Sequence, residues 1–278
     1  MRKFLILFCF CTAILPLSAK TGIVLSGGGA LGFAEAGALQ ALEEAGIKPD
    51  VVSGCSMGSI VGVFYAAGYS SAQMMEVFEK ERITRFSSVH HYNPFLKTGF
   101  SKQTRLRKVL AKYIKQKDFD SLPIPYYACV ADFKNGTVDY LHSGTILQDA
   151  VVASASIPIA YESIIINGKE YIDGGTINNF PIEPLLEQNC DKIIGINVIS
   201  FTKHDHIVKR KDRSPYILGL TIDSQNRERY AKCDFYINIE GMNNEKYQAL
   251  NFKLWRELIK MGYEQTKEYI NKHPEILK

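Results

Sequence analysis

The sequence predicts an α/β protein, a sheet with helices on both faces. Short β-rich runs alternate along the chain with segments of helical pattern. Asn135-Gly136 and Asn167-Gly168 each separate two such runs, as hairpin turns do. Two further runs pass through glycine-rich corners straight into helices. With 278 residues, 46% hydrophobic and 22% charged, the composition is that of an ordinary globular protein and excludes disorder, collagen and a long coiled coil.

Strands are expected at 22–25, 51–53, 126–131, 137–141, 163–166, 192–199 and 235–239, with Tyr171-Ile172 completing the second hairpin. Helices are expected at 31–45, 57–67, 72–80, 103–115, 146–153, 181–188, 215–230 and 247–271. Ahead of them stand Arg2-Lys3, an uncharged apolar run from Phe4 to Leu15, Pro16 and Leu17-Ser18-Ala19. That run is too short to span a membrane, which takes about 20 residues, and it reads as a signal peptide over 1–19 that exports the chain to the periplasm or beyond. No linker, repeat or low-complexity stretch follows, so 20–278 reads as one domain.

Loss of Arg2 and Lys3 with the leader lowers the formal charge from +4 to +2. Nucleic-acid binding, which needs a clustered basic face, is not expected. Cys55, Cys129, Cys190 and Cys233 have no zinc spacing and are expected as four buried thiols; no metal is expected.

Gly27-Gly28-Gly29-Ala30-Leu31-Gly32 follows the apolar Ile23-Val24-Leu25 and opens a helix. Consecutive glycines let neighbouring N–H groups converge on an anion at a helix start. The same residues satisfy the dinucleotide fingerprint G-x-G-x-x-G, yet the next strand ends in Ser53-Gly54 rather than in an acid for a ribose. It continues as Gly54-Cys55-Ser56-Met57-Gly58, the G-x-S-x-G of a nucleophile elbow, in which a sharp strand-to-helix turn thrusts the serine outward and requires small flanking residues. Gly27 and Ser56 thereby stand on neighbouring strands at one edge of the sheet. Cys55, beside the projecting position, is expected to face inward.

A serine nucleophile needs a base. His90, His91, His204, His206 and His273 lie in polar or terminal stretches and read as surface residues; His142, next to Ser143-Gly144, stays a candidate. Asp173-Gly174-Gly175 is the stronger one, because two glycines let another backbone approach the carboxylate and burial would raise its pKa.

Glycine loop, elbow and Asp-Gly-Gly in this order resemble the patatin-like phospholipases, in particular their bacterial branch. The likeness runs from Gly22 to about Asn271 and includes 35–44, Ala153-Ser154-Ala155-Ser156-Ile157-Pro158 and Asn178-Asn179-Phe180-Pro181. The resemblance implies a three-layer α/β/α fold with a mostly parallel central sheet. It also implies hydrolysis of phospholipids or other fatty acyl esters by a Ser-Asp dyad, without histidine, metal or cofactor. Ser56 would be nucleophile, Asp173 base, and Gly27, Gly28 and Gly29 the oxyanion-hole amides. Leu31 departs from the family's loop, which carries Arg or Lys there, and the loss of that charge bears on substrate preference. A catalytically silent interaction protein and a dinucleotide-binding protein are the alternative readings.

The segment 102–117 is basic, with Leu106, Val109, Leu110, Tyr113 and Ile114 at helical spacing. It reads first as a packed helix with a solvated charged face, and second as a peripheral contact with an anionic membrane surface. The aromatic, irregular stretch 86–100 reads as a cover over the site.

Overall fold

The computed structural model describes residues 19–81, 103–158, 160–199, 213–242, 244 and 246–278. All but the last residue of the expected leader, the stretch 86–100, and His90, His91, His204 and His206 lie outside the described residues. The strands are β1 (Thr21–Leu25), β2 (Val51–Cys55), β3 (Tyr126–Asp132), β4 (Thr137–Leu141), β5 (Ile164–Ile166), β6 (Lys169–Asp173), β7 (Lys192–Asn197) and β8 (Phe235–Asn238). The helices are α1 (Phe33–Glu44), α2 (Met57–Ala66), α3 (Ser71–Lys80), α4 (Thr104–Tyr113), α5 (Leu147–Ser154), α6 (Glu183–Glu187), α7 (Arg213–Tyr230) and α8 (Trp255–Lys272).

The strands form one mixed, mostly parallel sheet in the order β5-β6-β3-β2-β1-β7-β8, with β4 paired to β3. Side chains alternate across it. Ile23 and Leu25 enter the large apolar cluster with Phe33, Leu39, Ile60 and Phe64, while Val24 joins Val51, Tyr127, Phe180 and Ile193 on the opposite face. Leu185 of α6 and Tyr230 at the end of α7 cover that second face. The result is a three-layer α/β/α sandwich, and β1, β2 and β3 are buried along their whole length because both faces are covered. Helix α1 lies directly against α8. A Cβ on Gly37 would fall 1.9 Å from the carbonyl oxygen of Ile259, and one on Gly262 would fall 1.9 Å from that of Ala34.

The register of β3 decides where the site forms. β2 pairs with β3 as far as Cys55 opposite Cys129, and antiparallel β6 begins pairing at Asp173 opposite Val130. β4 pairs with β3 from Ala128 to Asp132, overlapping both, so β2 and β6 must share the other edge of β3, one succeeding the other. Asp173 therefore arrives at the very end of β2, where Ser56 follows.

The hairpin at Asn167-Gly168 has φ of 50° and 80°, the two left-handed residues of a type I′ turn. Elsewhere boundaries move for local reasons. Gly29–Gly32 is a 3-10 turn and α1 starts only at Phe33. The helix expected from 247 starts at Trp255, after Asn251 has used its side chain to accept from the Lys253 N–H. The carbonyl of Ala249 is taken by the Ala30 N–H at 2.7 Å.

Helix α4 is packed. Leu106, Val109 and Leu110 are buried in the large cluster, Arg107 pairs with Asp149, and Lys112 reaches Glu81 at 2.7 Å. Its apolar stripe belongs to the core, as the packed-helix reading expects. All four described thiols are free; Cys55 and Cys129 are buried, whereas Cys190 and Cys233 are half-buried, short of the full burial expected.

Glu35, in the first turn of α1, is wholly buried: Oε1 meets the Ser26 hydroxyl at 3.5 Å and Oε2 has no partner. Burial holds this carboxyl well above its ordinary 4.5, which favours its neutral form in the folded chain. A raised folded-state pKa confers stability that is complete below the unfolded value and is lost as pH rises toward the folded one. Stability of the wild type relative to Glu35→Gln is thus expected to fall with pH above about 4.5, by up to ~1.4 kcal/mol per unit. Urea unfolding of both proteins between pH 5 and pH 8 checks this, and parallel pH curves would refute it.

Candidate active site

Two corners at the C-terminal ends of parallel neighbours β1 and β2 build the site. Ser56, between β2 and α2, has φ 53° and ψ −118°, a left-handed backbone that a non-glycine residue adopts only under constraint. The flanking glycines are steric necessities. A Cβ on Gly54 would lie 2.4 Å from the Gly58 carbonyl oxygen, and one on Gly58 would lie 2.4 Å from that of Ser26. The Ser56 N–H donates to Ser154 Oγ at 3.0 Å, which anchors the elbow.

Ser56 Oγ donates to Asp173 Oδ2 at 2.7 Å. Both residues are buried, at 6% and 4% exposure. Asp173 Oδ1 accepts from the Gly175 N–H at 2.8 Å and from the Cys55 thiol at 3.8 Å. Burial pushes the Asp173 carboxyl up to about 6, against the pull of the bonds from Ser56, Gly175 and Cys55. Gly174 is required by space, since its Cβ would lie 2.5 Å from the Cys129 carbonyl oxygen. The arrangement can hold a hydroxyl against a carboxylate that is ionised at neutral pH and still basic enough to accept its proton.

The glycine loop borders the same space: a Cβ on Gly27 would lie 3.2 Å from Ser56 Cβ. Its amides are not equivalent. Gly27 N–H donates to the Asn179 carbonyl at 3.0 Å, Ala30 N–H to that of Ala249, and Leu31 N–H to that of Gly28 at 3.1 Å. Gly27 is therefore engaged, contrary to the expectation of three donors, and the loop has the N–H groups of Gly28 and Gly29 to offer. Leu31 is fully buried in the large cluster, so an arginine there would enter the core and would not reach a phosphate by exchange of this side chain alone.

The remaining candidates stand apart. His142 is exposed and stacks on Tyr127, with centroids 4.7 Å apart; His273 meets Glu275. Neither of these, the only described histidines, hydrogen-bonds to Ser56 or Asp173. Burial pushes the Cys55 thiol well up, so it stays protonated. A small hollow of about 10 Å³ lies beside α2, lined by Met57, next to Ser56, by Ile60 and Phe64, and by Phe78, Glu81, Leu106 and Val109.

The model of the family described as "Patatin-like phospholipase" matches residues 23–186, which hold the glycine loop, the elbow and Asp173. The chain belongs to the patatin-like phospholipase family. Among similar proteins is Lysophospholipase NTE1 of Kluyveromyces lactis, 24% identical over 272 residues that make up 87% of this chain and 18% of that protein. Lysophospholipase NTE1 of Saccharomyces cerevisiae is 29% identical over 180 residues, 64% of this chain and 11% of the yeast protein. An uncharacterized NTE family protein of Mycobacterium bovis is 27% identical over 184 residues, covering 65% and 49%. This patatin-like chain thus spans less than a fifth of the fungal proteins and half of the mycobacterial one. VipD from Legionella pneumophila shares the fold, with a TM-score of 0.57 at 15% identity over 92% of this chain and 67% of VipD.

Two residues of the patatin-like site have no role in the sequence reading. Ser154 ends α5 in the run Ala153-Ser154-Ala155, part of the family likeness, whose small side chains are a sign that another backbone approaches. Asn179 bonds Gly27, and the hints are its closeness in sequence to Asp173 and its place in the Asn178-Asn179-Phe180-Pro181 stretch of the family likeness.

Proposed function

We propose that this chain hydrolyses fatty acyl esters of phospholipids or lysophospholipids, with Ser56 as nucleophile and Asp173 as its base. The 2.7 Å bond between them, on a strained elbow and out of water, is the observation that carries the reading. Asp173 takes the Ser56 proton as Oγ bonds to the acyl carbonyl carbon, and the carbonyl oxygen becomes an oxyanion facing the Gly28 and Gly29 N–H groups. Collapse of this tetrahedral species breaks the ester C–O bond, and Asp173 returns the proton to the departing alcohol. Water then attacks the acyl-enzyme; Asp173 removes its proton and passes it to Ser56 Oγ as the free fatty acid leaves. A dyad suffices because one carboxylate is both acceptor and donor, which a pKa of about 6 suits. Family membership and the name lysophospholipase borne by the fungal relatives support lipids as substrate.

Turnover of p-nitrophenyl acyl esters and of lysophosphatidylcholine by the purified chain, with Ser56→Ala as control, tests the reading. Equal, negligible rates in both would overturn it. We also infer export, on the strength of the leader sequence; a mature mass starting at Lys20 is expected.

We infer that the acyl chain extends along α2 from Met57 past Ile60, about one helical turn from Ser56, and that the small hollow there, about 10 Å³, widens to admit it. Ile60→Trp should deny a long chain about three methylenes of burial at ~0.8 kcal/mol each, lowering kcat/KM on a dodecanoyl ester ~50-fold. A butanoyl ester should be hydrolysed as before. An equal loss on both esters would place the acyl chain elsewhere.

A further inference from the structure

Asp173 lies on β6 and the glycine loop follows β1, so what sets their mutual position is a question the dyad alone does not answer. Asn179, 4% exposed, sits between them. Its backbone carbonyl accepts from the Gly27 N–H at 3.0 Å, and its side-chain Nδ2 donates to the Gly27 carbonyl at 3.0 Å. One residue thus grips both polar groups of Gly27. The opposite side of the same amide faces the base: a Cβ on Gly175 would lie 2.8 Å from Asn179 Oδ1 and 3.1 Å from Asp173 Oδ1. Asn178 fixes the stretch from behind, donating to Tyr140 OH at 3.0 Å and Glu183 Oε2 at 2.9 Å and accepting from the Phe180 N–H at 3.0 Å.

We propose that Asn179 is a positioning residue that aims the Gly28 N–H at the developing oxyanion. The inference rests on the hydrolase reading above. Its physical basis is the planarity of the peptide unit. The carbonyl of Gly27 and the N–H of Gly28 belong to one trans peptide and point in opposite directions, so holding one dictates the other. Glycine gives the chain little resistance to rotating that peptide unit, and a loop of three glycines needs an outside hold to keep one orientation. Nδ2 supplies it, because an amide nitrogen can only donate and so selects the carbonyl edge of the unit. A carboxylate at the same place could only accept, which would repel the Gly27 carbonyl and favour the flipped peptide. The side chain also excludes alternatives at Gly27, where a Cβ would lie 2.2 Å from Asn179 Oδ1.

The test uses the full chain with Asn179→Asp and Asn179→Ala, p-nitrophenyl butanoate as substrate and an uncharged fluorophosphonate as second probe. The amplitude of phosphonylation counts folded, reactive sites, so kcat is expressed per titrated site and partial unfolding does not enter. The rate of phosphonylation passes through a charged, oxygen-bearing transition state in the same place. Expected for both variants is a fall in kcat of about 10²-fold or more, the scale of one lost oxyanion donor, with a parallel fall in phosphonylation rate and KM within about two-fold. Wild-type kcat per titrated site in Asn179→Asp, or a loss confined to KM, would overturn the proposal while leaving the hydrolase reading intact. A wild-type chain that turns over no ester would overturn both.

Discussion

Replacing Ser56 by Ala is expected to lower kcat on a fatty acyl ester by on the order of 10⁴ or more, because the proposed nucleophilic oxygen is gone. Asp173→Asn should lose about 10²–10⁴, since an amide of the same shape still accepts from Gly175 but cannot take the Ser56 proton. Both variants should melt close to the wild type; the comparison is made by thermal unfolding followed in circular dichroism. The wild-type pH profile carries the same information. Below about 6 the Asp173 carboxyl is protonated and has no proton acceptor to offer, so kcat/KM on a neutral ester should rise with pH through about 6 to a plateau. Persistence of that limb in Asp173→Asn at appreciable activity would assign it to another group.

The second large effect belongs to Gly29. Its φ of 54° lies in the left-handed region, and a Cβ there would stand 2.3 Å from the Ala249 carbonyl oxygen, which is main chain and cannot swing aside. Gly29→Ala must therefore displace the loop, with loss of the Ala30-to-Ala249 bond and misdirection of the Gly28 and Gly29 amides. A fall of about 10²–10³ in kcat is expected for a broken oxyanion hole. Gly28→Ala presses on a side-chain methyl of Val198, at 2.5 Å, and meets backbone no nearer than the Gly32 nitrogen at 3.4 Å, so it should lose less. The two are compared per fluorophosphonate-titrated site. The reverse order of damage would mean that the loop has a different working conformation.

Much of this was legible in the sequence because glycines mark steric necessity. Gly54 and Gly58 around Ser56, and Gly174 after Asp173, stand where any side chain would strike backbone, and that pattern survives in one dimension. The alternation of β-rich runs with helical segments was equally readable as a sheet covered on both faces, which the split of Ile23, Val24 and Leu25 between two clusters bears out. What sequence could not supply was partnership over distance. That the Gly27 amide is engaged by Asn179, that Ser154 holds the elbow, and that Leu31 points into the core all depend on packing between segments far apart in the chain. The start of α8 was misplaced for a similar reason: residues before it serve the glycine loop through Ala249 rather than extending the helix.

Two strands that meet end to end along one edge of β3 give the chain an unusual relation between folding and activity. A dyad borne by flexible loops can be reached by many partly ordered chains. Here the serine and the carboxylate face each other only after β2 and β6 have both docked, in register, on the same strand. Both dockings join segments remote in sequence and pass through costly loop closures, so they belong to the slow steps of folding. On the proposed reading, recovery of ester hydrolysis during refolding is expected to follow the joining of β2, β3 and β6.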